Sequence, residues 1–187
     1  MDQDLVLRAQ QGDQQAFEAL AVASHPRLHK VAHGILRDPY LAEDATQQAL
    51  LDVWRQLGSL RDPARYEGWS YRLVVHACYA EAKRRPKTEP ESSIEGSKGS
   101  VIRDDYGAVL DRDQLSRGFQ RLSVDHRAVL VLHYLLDMTP EQVAEVLDIR
   151  TKTVYARLSR ATEALRGALE ADSRLASQQE SSSGAMR

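Results

Sequence analysis

TPEQVAEVLDIRTKTVYARLSRATEALR, residues 139–166, is the stretch that decides the fold. Its opening spells a helix start. Thr139 can cap, Pro140 suits the first helical position, where a backbone N–H would go unbonded anyway, and Gln142 can complete a capping box. Val143, Val146 and Leu147 then line one apolar face. This short helix stops at Asp148-Ile149, because the apolar spacing restarts there in a new phase. Asp148 falls where a tight turn needs left-handed backbone, a role that glycine fills without strain and aspartate at some cost. The second helix carries Val154, Leu158, Ala161 and Leu165 at i, i+4, i+7 and i+11, a single core-facing stripe.

The opposite face of that second helix holds Lys152, Ala156, Ser159 and Arg160, with Thr153 and Tyr155 on its flanks. A short helix, a tight turn and a longer helix with small, polar and basic outward residues make a helix-turn-helix, whose second helix enters a DNA major groove. Arg160 can bind a guanine edge with two hydrogen bonds. Thr151, Lys152 and Thr153 lie near the helix start, where phosphate contacts are favoured. A helical hairpin with a merely solvated basic face would share the spacing. The capping box and the local charge favour the DNA reading: residues 150–170 hold five basic and two acidic side chains, whereas 113–148 hold three arginines and six acids. Local basic patches on a body of net charge −2 suit a site-specific binder, not a general polyanion coat.

Working outward, 113–170 reads as one helical domain and 1–85 as another, rich in apolar spacings of three and four. Between them, PKTEPESSIEGSKGS (86–100) breaks every periodicity; the flexible linker is placed at 86–112, although 101–112 could begin the next helix. The Ser- and Gln-rich end, 171–187, is expected to be a disordered tail. Alternating β-branched runs are nearly absent, so the fold class is all-α: two small helical domains joined by a flexible linker, the second a helix-turn-helix. With 42% apolar residues both domains can build a core. A single cysteine, Cys78, excludes an internal disulfide and a cysteine-based metal site, and is expected to be a packed thiol. The start of the chain lacks a secretory signal and no stretch approaches a membrane span, so the expectation is a cytoplasmic protein that inserts in no membrane.

In the first domain, AEDATQQALLDVWRQL (42–57) is an amphipathic helix: Ala45, Ala49, Val53 and Leu57 form its stripe, Leu50 and Trp54 widen it, and Glu43, Asp44, Gln47, Gln48 and Asp52 face out. A loop, GSLRDPARYE (58–67), precedes a helix that ends in Lys83-Arg84-Arg85. This region gathers Arg61, Arg65, Tyr66, Trp69, Tyr71 and Arg72, the mixture of aromatic faces and positive charge that captures an unstacked base. Trp69 also suits a core position, as tryptophan usually does. His76 has no neighbouring ligands and no metal is expected.

These residues resemble the small extracytoplasmic-function (ECF) group of bacterial sigma factors. In the second domain the resemblance lies in Leu122, Arg127, Tyr134, Val143-Ala144-Glu145, Thr153-Val154 and Leu158-Ser159-Arg160-Ala161; in the first it lies in Asp4-Leu5, Gly12-Asp13, Ala16-Phe17, Leu20 and the 42–57 helix. It spans about residues 2–85 and 113–168 in the family's order. Ser123 stands where the family usually has proline, Asp148 where it has glycine, and His76 where it commonly has asparagine. The resemblance implies a chain that directs core RNA polymerase to promoter DNA and has no catalysis or cofactor of its own. The second domain would read the minus-thirty-five element through Arg150, Thr151, Lys152, Thr153, Tyr155, Ala156, Ser159 and Arg160. The first would recognise and melt the minus-ten element through Arg61, Arg65, Tyr66, Trp69, Arg72, His76, Lys83 and Arg84. Asp44, Gln47 and Gln48 would dock on the polymerase, with one charge contact missing because the family often has an acid at the position of Gln48. An anti-sigma factor is a common further partner. LuxR-type regulators share the second domain's pattern, but residues 1–85 lack the β-α alternation of a receiver domain. A purely protein-binding helical adaptor would be indifferent to the loss of Arg160 or Lys152.

Overall fold

The computed structural model describes residues 2–84 and 106–184, with side chains for 2–84 and 113–173. Eight α-helices and no strand are found among the described residues. The first four are α1 (Gln3–Gln10), α2 (Gln14–Leu36), α3 (Pro39–Gln56) and α4 (Tyr66–Arg84). Asp2, Asp13 and Asp38 cap α1, α2 and α3, each accepting a hydrogen bond from a first-turn N–H that would otherwise be unpaired. The four helices pack around Val6, Leu20, Leu28, Val31, Ile35, Val53, Val74 and Val75, all essentially inaccessible. Each such side chain stabilises the fold by roughly 1.5–3 kcal/mol.

The second group comprises α5 (Tyr106–Gln120), α6 (Val124–Leu130), α7 (Pro140–Leu147) and α8 (Thr151–Gly184). Ser123 caps α6, whose end runs into a π-helical turn at Val131–Leu135. Val129, Leu132, Val143, Val154 and Ala161 are buried between these elements.

Two boundaries differ from the sequence expectation. The linker assigned to 86–112 loses its last residues to α5, which starts at Tyr106; the stretch 86–105 lies outside the described residues. The tail assigned to 171–187 is helical as far as Gly184. Its composition looked like coil, yet between Ala168 and Ser183 no proline or glycine interrupts the helix. Asp172 anchors this extension. Its carboxylate is buried and pairs with Arg117, 3.1 Å away, and with Arg121, both on the α5 side.

The two groups touch. Helices α2 and α4 pack against α6, the π-turn and α7. Gly34 lets α2 approach closely, since a Cβ built there would lie 2.8 Å from Val131 Cγ2. Arg37, at the left-handed C-cap of α2, donates to Ser116 Oγ and places its guanidinium 5.8 Å from the centroid of the Phe119 ring. Among the described residues, no helix is long and apolar enough to cross a membrane.

A candidate nucleic-acid and polymerase interface

The start of α7 has the capping box foreseen in the sequence. Gln142 N–H donates to Thr139 Oγ1 at 3.3 Å, and Thr139 N–H donates to Gln142 Oε1 at 2.9 Å. Asp148 takes left-handed backbone, φ 55° and ψ 46°, and its N–H closes onto the Ala144 carbonyl. The chain then enters α8 through Arg150, whose carbonyl accepts from Thr153 and Val154 N–H. Val154, Leu158 and Ala161 are buried, which turns the other side of α8 outward.

On that outward side Arg150, Lys152, Tyr155, Ala156, Ser159 and Arg160 are exposed, with Thr151 and Thr153 half-buried at the edge. Among the described residues no ion pair ties down Arg150, Lys152 or Arg160. Arg157 differs: it pairs with Asp125 at 3.2 Å and ties α8 to α6. All eight residues expected at this site therefore share one surface, four of them basic or hydroxyl groups at the helix start.

The first domain's set divides. Arg61 and Arg65 are exposed on two short 3₁₀ turns, Leu57–Ser59 and Pro63–Arg65, with their connecting loop. His76, Lys83 and Arg84 are exposed along α4, Arg84 pairing with Glu81 at 2.8 Å. Tyr66 does not belong with them. It opens α4 instead of lying in the loop, it is fully buried, and its hydroxyl hydrogen-bonds Ser24 Oγ at 2.9 Å. Burial, partly offset by that bond, pushes its pKa up. An aromatic ring enclosed by the core offers no face to a base, so Tyr66 is a packing residue here. Trp69 is half-buried against the core, 6.1 Å from the Tyr66 ring. Arg72 reaches across to the second domain, where its Nη2 lies 3.0 Å from Asp148 Oδ2.

On α3, Asp44 and Gln47 are exposed and Gln48 is half-buried. Gln47 Nε2 donates to Glu43 Oε1 at 3.0 Å, and Gln48 Nε2 donates to Asp52 at 3.2 Å. Sequence reasoning missed what stands beside them. His25, His29 and His33, spaced by four on α2, stack in a column, and Glu43 lies 3.4 Å from His25 and 3.8 Å from His29. The hydrogen bond from Gln47, aided by His25, holds the Glu43 carboxyl below its usual range. The i, i+4, i+8 spacing was visible in the sequence; the partner on α3 was not. No cluster of three or more potential metal ligands is formed among the described residues.

Family models match both halves of the chain: "Sigma-70 region 2" over residues 20–88 and "Sigma-70, region 4" over 112–165. The chain is 31% identical over 160 residues to the ECF RNA polymerase sigma factor SigM of Mycobacterium tuberculosis, covering 86% of this chain and 80% of that one. The chain belongs to the ECF sigma factors. It is also 30% identical over 178 residues to the ECF RNA polymerase sigma-E factor of Escherichia coli, covering 88% of this chain and 92% of that protein. The fold is shared with CnrH, solved in complex with the cytosolic domain of CnrY: TM-score 0.66, 23% identity, 91% of this chain and 98% of that one. It is shared too with the sigma factor RpoE of Bartonella quintana, solved with the anti-sigma factor NepR: TM-score 0.63, 20% identity, 83% and 98% covered. As an ECF sigma factor this protein works with core RNA polymerase on promoter DNA, in promoter-specific initiation of transcription. Its family is one of initiation factors, not of catalytic enzymes.

Proposed function

We propose that this sigma factor divides promoter reading between its two helical groups, residues 1–85 serving the minus-ten element and 113–170 the minus-thirty-five element. The observation that carries the reading is the surface of α8, where Lys152 and Arg160 stand exposed, without acidic partners among the described residues, beside Tyr155, Ala156 and Ser159. Small residues at 156 and 159 let the helix sit deep in a major groove, and Arg160 then reaches a guanine edge. Arg150, Thr151, Lys152 and Thr153 grip phosphates at the helix start.

In the first domain, Arg61, Arg65, Trp69, Arg72, His76, Lys83 and Arg84 serve the melted minus-ten strand, the cations tracking phosphates and Trp69 offering the ring that Tyr66 cannot. Asp44, Gln47 and Gln48 dock on the polymerase. The Glu43–Gln47 and Asp52–Gln48 hydrogen bonds fix the amides in one orientation before contact, which lowers the entropy lost on docking. The factor has no catalytic activity of its own and acts in the cytoplasm, where the polymerase is. An anti-sigma factor is proposed as a further partner, on the strength of the fold shared with two sigma factors solved in such complexes.

The test is a binding series on promoter duplexes altered one base pair at a time. Arg160→Ala is expected to weaken binding by ~1–3 kcal/mol and to relax preference at one base pair. An unchanged preference at every position would remove Arg160 from the reading surface.

A further inference from the structure

We propose that the apolar cavity between the end of α2 and the second helical group binds a single-chain carboxylate, its tail in the cavity and its head on the Arg37 guanidinium. The cavity uses none of the residues assigned above to DNA or to the polymerase. Three observations carry the proposal.

The first is the chemistry of the space. Its volume is about 520 Å³, within the ~300–1,000 Å³ of small-molecule sites. Leu115 and Phe119 of α5, Val131 and Leu135 of the π-turn and Leu165 of α8 wall it, and Arg37 reaches it from the end of α2. Ser116 and Thr162 also border it, but their hydroxyls are engaged. Ser116 Oγ accepts from Arg37, and Thr162 Oγ1 donates to the Leu158 carbonyl at 2.8 Å. The walls therefore suit hydrocarbon. Leu115 and Leu135 are both exposed, so the cavity communicates with solvent.

The second observation is the charge left over at one side. Arg37 Nε is buried without a hydrogen-bond partner, and among the described residues no carboxylate pairs with this guanidinium. Burial holds its pKa below the usual range. Arg127 of α6 repeats the pattern: its Nε is also buried and unpartnered, and burial, followed by the charge of Arg37, lowers its pKa. Buried charges are ordinarily paired, so two desolvated cations that repel each other favour an anion between or beside them.

The third observation is the backbone that delivers Arg37. It takes the left-handed C-cap of α2, φ 59°, where glycine or asparagine is the less strained choice. A long cation is held there instead, its guanidinium 5.8 Å from the centroid of the Phe119 ring. That contact fixes the plane of the group, and the edge of a guanidinium matches a carboxylate in a two-bond fork. The volume has room for one hydrocarbon chain and not for the two of a phospholipid.

The experiment titrates decanoate, below its micelle threshold, into the full chain by calorimetry, with 1-decanol as the uncharged control. The expected result is saturable one-to-one binding that weakens about four-fold for each methylene removed from the chain. On the wild-type protein 1-decanol is expected to bind about ten-fold more weakly than decanoate, a comparison that needs no variant. Arg37→Asn suits the left-handed backbone but lacks the charge, and is expected to bind decanoate about ten- to a hundred-fold more weakly. Its affinity for 1-decanol is expected to match wild type. Leu115→Glu, at a position exposed enough to leave the fold intact, puts an acid in the wall and is expected to abolish decanoate uptake. Absence of saturable uptake, equal affinity for decanoate and 1-decanol, or decanoate binding untouched by both variants would overturn the proposal. Self-association that Leu115→Glu abolishes, with no uptake of decanoate, would overturn it too and assign the cavity to a second copy of the chain.

Discussion

Asp172 and Arg121 form an ion pair that ties the far part of α8 back to the end of α5, with Arg117 closing on the same carboxylate at 3.1 Å. The acid is buried and the two arginines are about half exposed. Removing either side of the pair therefore has unequal consequences. With Asp172→Ala the arginines turn to water, and the loss of stability is expected to be ~1–2 kcal/mol. With Arg117→Ala and Arg121→Ala together the carboxylate is left buried without its cations, and the loss is expected to approach ~3 kcal/mol. Denaturant unfolding of the three proteins checks the order; equal losses would show that Asp172 is better hydrated than its burial implies.

The capping box of α7 makes a local prediction. Thr139→Ala leaves the Gln142 N–H without its cap and is expected to lower stability by ~1 kcal/mol. Thr139→Ser, which keeps the hydroxyl, is expected to stay near wild type. Thermal melts of the two variants separate a capping role from loss of the threonine methyl.

Tyr66 separates packing from promoter opening. Tyr66→Phe loses only the hydrogen bond to Ser24 and is expected to cost ~1 kcal/mol of stability. Promoter melting, read by a fluorescent base in the minus-ten strand, is expected to be unchanged. Trp69→Ala is expected to slow that signal. A melting defect in Tyr66→Phe at a temperature where the protein is folded would return Tyr66 to the DNA surface.

Cys78 is fully buried, and burial pushes its thiol up to about 12. The sign follows from the proton: a raised pKa means that the folded state holds the proton more tightly. Its contribution to stability is complete below the ordinary thiol value of 9.0 and is lost as pH rises through about 12. A thiol-reactive disulfide reagent at pH 8 is expected to modify Cys78 only at the rate of unfolding, and rapidly once denaturant is added. Fast modification of the native chain would contradict the packing described here.

The parts of this molecule legible in the sequence are those governed by neighbours three or four residues away. The capping box at Thr139, the turn at Asp148 and the stripe of Val154, Leu158, Ala161 and Leu165 are local signals, and the structure bears them out, with Leu165 only half-buried against the core. What depended on distant partners was not legible. Tyr66 carries the same aromatic ring whether it stacks on a base or hydrogen-bonds Ser24, which is 42 residues away. The helical end of the chain hid behind Ser and Gln because its anchor, Asp172, answers arginines 55 and 51 positions earlier. Likewise nothing near Asp148 announces Arg72 as its partner. Exposure of the α8 surface followed from periodicity; its use on DNA is the proposal that the kinship of the whole chain supports.

The central claim is promoter-directed initiation, and run-off transcription tests it most directly. The purified chain is added to bacterial core RNA polymerase on a pooled promoter library, with core alone as the reference. The account predicts transcripts from a defined subset of promoters that core alone does not start. It also predicts that Arg160→Ala shifts which upstream elements are used. Specific duplex binding by the chain with no association with core and no new transcripts would contradict the account and leave a DNA-binding regulator in its place.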